Sequence, residues 1–169
     1  MLRDFIFRIE KEDENMLFSQ WFATTTDEVG IALFDFYSIG HICFGVGLFL
    51  FWSLFYTIPK KRGKIPIFSL LFVFILIIVC AIIWEIIEHT LFLNLGWKFE
   101  NRPDSWQNMF TDVLLCAIGG LGTWLFAYLT FEKEKSAFAY YTFGLIGFGV
   151  WISVFIILRY FTFQNSPII

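Results

Sequence analysis

The chain has 169 residues, of which 58% are hydrophobic, including 24 Phe and 7 Trp, with a formal net charge of -3. One domain is the natural size class, and an apolar share above the roughly 45–50% of soluble domains, with a mean hydropathy of +0.70, points to a bilayer. No basic patch interleaved with aromatics speaks for nucleic acid. Cys43, Cys80 and Cys116 lie on different apolar segments, which is neither a disulfide framework nor metal-site spacing; they read as small core hydrophobes.

Residues 1–29 are mixed. There is no basic region leading into an apolar core, so a secretory signal is not expected, and residues 10–14 are mostly acidic. Leu2, Phe5, Ile6 and Ile9 recur at amphipathic helical spacing. The pattern predicts an interfacial helix lying on the bilayer, with Trp21 at headgroup level. Thr24, Thr25 or Thr26 can cap the next helix, with Asp27 and Glu28 near its start.

Apolar runs then predict four spans, at about residues 30–58, 66–94, 106–131 and 137–160. The first is apolar except for Asp35, Ser38 and His41, and is expected to end at Pro59. The second contains 18 uncharged residues from Ile67 to Trp84, followed by Glu85, Glu88 and His89. Asp104 and Ser105 are expected to cap the third, which opens with Asn108 and Asp112. Gly119, Gly120 and Gly122, and Gly144 and Gly147 in the fourth, offer smooth faces for close helix packing, and these faces can also take a partner helix or a second copy. The fourth carries no charge before Arg159 and reads as structural. Trp84, Trp97 and Trp106 read as interfacial belt residues. The fold class is therefore all-α: a single membrane domain with four transmembrane helices and an N-terminal interfacial helix.

Loop cations orient the chain. Lys60, Lys61, Arg62 and Lys64 follow the first span, and Lys133 and Lys135 follow the third. The positive-inside rule puts these loops in the cytoplasm and both termini outside, in a cell (inner) membrane. At about 1.5 Å per residue, His89, Glu88 and Glu85 then lie roughly 7 to 14 Å below the outer boundary. Asp35 and Asp112 lie about 6 Å in, and His41 about 15 Å in. Glu85, Glu88 and His89 share one helix face, and Asn108 and Asp112 are likewise one turn apart. Three helices thus aim acids, an amide and imidazoles at one depth.

An ionised carboxylate in hydrocarbon is costly, so intramembrane acids pair, face the interior or stay protonated. Glu85, Glu88 and Asp112 admit three resolutions. A divalent cation (Mg²⁺, Mn²⁺, Ca²⁺ or Zn²⁺) can bind them. Protons can neutralise them. Or Lys98 and Arg102 can fold in from the loop. The metal reading gives Glu85, Glu88 and Asp112 as ligands and His41, Glu88 and His89 as candidate acid–base groups. Arg102, Asp104 and Asn108 are candidate substrate contacts, with Arg102 on a phosphate.

The run Glu85-x-x-Glu88-His89, followed by Asp104-Ser105-x-x-Asn108-x-x-x-Asp112, resembles a family of small bacterial inner-membrane proteins of unknown function. That family carries W-E-x-x-E-N on one span and D-S-x-x-N-x-x-x-D into the next. His41 in the preceding span is also similar, and His89 stands where the family has asparagine. The resemblance covers roughly residues 38–120 and implies a four-helix membrane fold with a polar intramembrane site, without naming an activity.

Three functions fit this pattern. One is a metal-dependent enzyme acting on a lipid or lipid-linked phosphate at the outer leaflet. Another is a non-catalytic assembly or partner protein using the glycine faces. The last is a transporter or proton-relay component, for which intramembrane Glu and His are common markers.

Overall fold

The structure, a computed structural model, describes residues 21–132 and 136–165. The interfacial helix expected within residues 1–29 falls mostly outside them. The described part of that stretch forms a single bridge between Phe22 and Phe34 and a short 3-10 turn, Thr26–Glu28. Glu28 ties this turn together by accepting from the Thr24 backbone N–H and hydroxyl and from the Thr25 N–H, at 2.7, 2.8 and 3.1 Å. Those bonds, the Thr24 backbone bond foremost, hold its carboxyl below the ordinary value.

The first span starts later than the hydropathy suggests, at Tyr37. Helix α1 covers Tyr37–Trp52 and, after a break at Ser53, continues as α2, Leu54–Lys61. The reason is a cap. Asp35 Oδ1 accepts from the N–H groups of Tyr37 and Ser38, while Ser38 Oγ accepts from the Asp35 N–H. His41 therefore sits about 6 Å from the helix start rather than about 15 Å deep. At Ser53 the hydroxyl donates to the Leu50 carbonyl at 3.0 Å, a back-bond that bends helices. Pro59 lies inside α2 rather than ending the span. The proline cannot donate to the Phe55 carbonyl, and the Ile67 N–H does so instead at 3.0 Å.

Helix α3, Leu70–Ile87, is capped by Ser69 and continues into a π-turn at Glu88–Phe92. Helix α4 spans Trp106–Glu132 and α5 spans Ala137–Asn165. The chain is all-α, with four helical segments long and apolar enough to cross a bilayer. Ile75, Val79, Ile82, Ile83 and Ile86 of α3, and Ile146, Val150 and Ile157 of α5, are exposed. Such a surface suits lipid and not water, as expected of an integral membrane protein.

Helix α1 is central. It packs on α4 and α5, and α3 packs mainly on α4. Gly45 meets the Cys116 carbonyl and Gly119 meets the Ile42 carbonyl so closely that a Cβ at either would collide with backbone. Gly120 likewise faces Ile77, and Gly144 faces Leu50. Gly119, Gly120 and Gly144 thus pack helices of the one chain closely, while Gly122 and Gly147 face open space. Tyr140 and Tyr141 anchor α5 to Ser53 and Thr57, with the Thr57–Tyr141 hydroxyls 2.8 Å apart. Helices α3 and α5 hardly touch each other. A cavity fills the space between them.

Candidate functional site

The site begins with a clamp. Residues 26–35 lie across the start of α4, and Ser105, Asn108 and Thr111 read three consecutive carbonyls of that segment. Ser105 Oγ donates to Ile31, Asn108 Nδ2 to Ala32 and Thr111 Oγ1 to Leu33, at 2.8, 2.9 and 2.5 Å. Ser105 also accepts from the Asn108 N–H, capping α4 as expected. Gly30 has a φ of +75°, and a Cβ there would overlap the Asp104 carboxylate, so both conformation and space require glycine. Arg102 donates to the carbonyls of Thr26 and Val29 at 2.9 and 2.6 Å and pairs with Glu100. Its guanidinium ties the segment down and is absent from the cavity wall. Asn108 is buried in the same clamp. Both were substrate candidates by sequence: Arg102 is engaged in holding the segment, whereas Asn108, though part of the clamp, also lines the cavity.

Asp35 stands at the junction. Burial pushes its carboxyl above the ordinary value, against the N–H bonds from Gly30, Tyr37 and Ser38. Beside it, Lys98 reaches in from the loop and is buried. Its ammonium donates to Asp104 Oδ2 at 2.5 Å and to Glu88 Oε1 at 2.9 Å. Burial works against that charge, but Asp104 and Glu88 outweigh it and hold the Lys98 pKa above the ordinary lysine value. One of the three resolutions open to the sequence, a loop cation, is thus realised for Glu88.

Glu85 and Asp112 are not matched in this way. Glu85 Oε1 lies 3.9 Å from His41 Nδ1, and Asp112 Oδ2 lies 3.5 Å from His41 Nε2. Glu85 Oε2 and Asp112 Oδ1 are buried with no hydrogen-bond partner among the described residues. An unmet buried carboxylate oxygen calls for a proton or a cation.

His89 is engaged on both sides. Its Nδ1 lies 2.8 Å from the Glu85 carbonyl, which can only accept, so Nδ1 carries the hydrogen. Its Nε2 then accepts from the Asp104 N–H at 3.2 Å. The ring joins the π-turn to the start of the clamp.

Donor groups converge in two sets, His41–Glu85–Glu88 and Glu85–His89–Asp104, each with ligand atoms within 4.8 Å of one another. The second is closed by the hydrogen bonds of His89 and by Lys98 on Asp104. The first is more open: Lys98 takes one oxygen of Glu88, but the His41 ring, on the cavity wall, makes no hydrogen bond among the described residues. Asp112, expected as a ligand, is in neither set and stands beside His41 instead.

The cavity holds about 650 Å³. Asp35, His41, Glu88, Lys98, Asp104 and Asp112 stand on its wall at one end. Trp84 packs on Phe44 and Phe92 and lines it too, as does Trp97, so two of the three belt candidates are also cavity residues. Phe148, Ile152, Phe155 and Arg159 form the α5 wall. Reading α5 as structural missed them, although the i, i+4, i+7, i+11 spacing marks one helix face. Cys43 and Cys116 are free and buried, as small core residues.

No protein-family model matches the chain, and no curated protein or solved structure shows significant similarity to it.

Proposed function

We propose that this integral membrane protein binds one divalent cation through His41, Glu85 and Glu88 and uses it on the phosphate of a lipid or lipid-linked head group. The observation that carries this reading is that two buried carboxylates, Glu85 and Asp112, flank the His41 imidazole through Oε1 and Oδ2, and each leaves its other oxygen, Oε2 and Oδ1, without a hydrogen-bond partner among the described residues. Lys98 already serves Glu88 and Asp104. A further cation satisfies the remaining charge without a proton.

The donor set fits. One imidazole with two carboxylates favours Zn²⁺ or Mn²⁺ over Mg²⁺ and Ca²⁺. Ligands at about 2.0–2.1 Å in a tetrahedron stand roughly 3.4 Å apart, and the 3.9 Å between His41 Nδ1 and Glu85 Oε1 needs only a small side-chain adjustment. Asp112 on the far ring nitrogen of His41 supplies the carboxylate that orients a metal-bound histidine. Lys98 holds Glu88 through one oxygen, leaving the other as a donor. A bound cation supplies Lewis acidity toward a phosphoryl oxygen. We assign head-group binding to Lys98 and Arg159, the cations of the cavity wall, and proton acceptance to Asp112 Oδ1, the unengaged oxygen there. With the basic Lys60–Lys64 loop in the cytoplasm, this end faces the outer leaflet.

The far half of the bundle carries the hydroxyls of Ser53, Thr57, Tyr140 and Tyr141 in place of carboxylates, which disfavours a proton path through the membrane.

Manganese titration of the purified protein in lipid nanodiscs, followed by electron paramagnetic resonance, tests the reading. One ion per chain is expected, with at least tenfold weaker binding in Glu85→Gln and Glu88→Gln. Binding unchanged in both variants, or absent from the native chain, overturns it.

A further inference from the structure

The cavity has a second end that the cation does not explain. Along α1 its wall runs from His41 through Phe44 to Gly47 and Leu48, along α3 from Glu88 to Trp84, and along α5 from Arg159 through Phe155 and Ile152 to Phe148. Moving inward from His41, Glu88 and Arg159, these three walls become apolar in the same direction. The α5 stripe from Arg159 to Phe148 covers roughly 16 Å at 1.5 Å per residue. That is close to half of the roughly 30 Å hydrocarbon core, or one leaflet. The side of the cavity between α3 and α5 is not closed by helix packing. At this depth the medium outside that gap is lipid tails.

We infer that the apolar arm holds one hydrocarbon chain of an amphiphile whose phosphate head lies at the charged end, and that the amphiphile enters sideways from the bilayer between α3 and α5. This rests on the proposed function for the head group, but the chain pocket stands on its own geometry. A polar substrate from water has no use for an arm lined by Phe44, Leu48, Phe148 and Ile152. A chain already in the leaflet exchanges one apolar surrounding for another, so selection falls to the charged end, where a misplaced head leaves buried acids unmatched.

Hexadecyl phosphate and butyl phosphate are the probes, titrated against the full chain in phosphatidylcholine nanodiscs with and without Mn²⁺. Native protein is expected to bind the long-chain probe at least tenfold more tightly. Ile152→Trp and Leu48→Trp block the arm from opposite walls, so that either suffices should the other fail to fold; both are expected to lose the preference. Ile156→Trp, on the exposed side of α5, is expected to keep it. Equal binding of both probes to native protein, or a preference surviving in the folded wall variants, overturns the proposal. A chain preference that persists when Mn²⁺ neither binds nor matters supports the arm and sinks the cation reading.

Discussion

His41 Nε2 lies 3.5 Å from Asp112 Oδ2, joining the start of α1 to the start of α4. The opposite ring nitrogen faces Glu85, so Asp112 decides which way the imidazole presents its donor. Removing such an outer partner lowers metal affinity about 10- to 100-fold in other sites. Asp112→Asn keeps the shape and removes the charge. Its Mn²⁺ or Zn²⁺ affinity by calorimetry is expected to fall by that factor with the fold intact. Native affinity in the variant removes Asp112 from the site.

Lys98 is the buried counter-charge of the site, with its side chain only 4% exposed beside Asp104 and Glu88. Lys98→Met leaves two acids facing each other, and removing one partner of a buried pair costs about 3–5 kcal/mol. The melting temperature in nanodiscs at neutral pH is expected to fall accordingly. The pH dependence comes from the sign of the shift. Lys98 is held above its ordinary 10.5 in the folded protein. Its contribution is therefore complete below that value and lost as pH rises through the raised one. The difference in melting temperature between native protein and Lys98→Met is expected to narrow above pH 10.5. A gap that stays constant there contradicts the pairing.

The four spans and the gathering of acids at one end were legible, because carboxylates in long apolar runs have few alternatives to facing one another. The start of α1 was not. Ile31, Ala32 and Leu33 are apolar and count as membrane span, yet their carbonyls are met by Ser105, Asn108 and Thr111 more than seventy positions away. Hydropathy registers side chains, and here backbone partners decide the conformation. The α5 wall was hidden for a related reason. Phe148 and Ile152 face a cavity and Ile157 faces lipid, but both settings are apolar, so hydropathy gives no contrast between them. Arg102 and Lys98 were equivalent loop cations by sequence. Only the fold separates the one that holds backbone from the one that holds the acids.

Two glycines on α4 make a matched pair. Gly119 lies against the Ile42 carbonyl of α1, whereas Gly122 has open space where a Cβ would go. Gly119→Ala forces the two backbones apart, an overpacking that costs about 1–3 kcal/mol. Gly122→Ala adds a methyl group toward lipid and gains helix propensity of up to about 1 kcal/mol. Unfolding in mixed detergent is expected to show loss in the first and no loss in the second. Equal effects place the helix contact elsewhere.

His89 separates the two donor sets. If its ring serves only as a brace, its two hydrogen bonds can be removed one at a time. Asn at this position keeps a donor near Nδ1 for the Glu85 carbonyl and loses the acceptor for the Asp104 N–H. Leaving that N–H without a partner costs about 1–3 kcal/mol. His89→Asn is expected to melt earlier than native protein while binding Mn²⁺ with native affinity, and His89→Ala, which loses both bonds, is expected to melt earlier still. The π-turn gives this ordering its weight. It sets His89 between Glu85 and Asp104, so the ring transmits the position of the loop to α3. Loss of the ion from His89→Asn, with stability unchanged, moves the cation to Glu85, His89 and Asp104. Lys98 must then release Asp104 for the metal to bind.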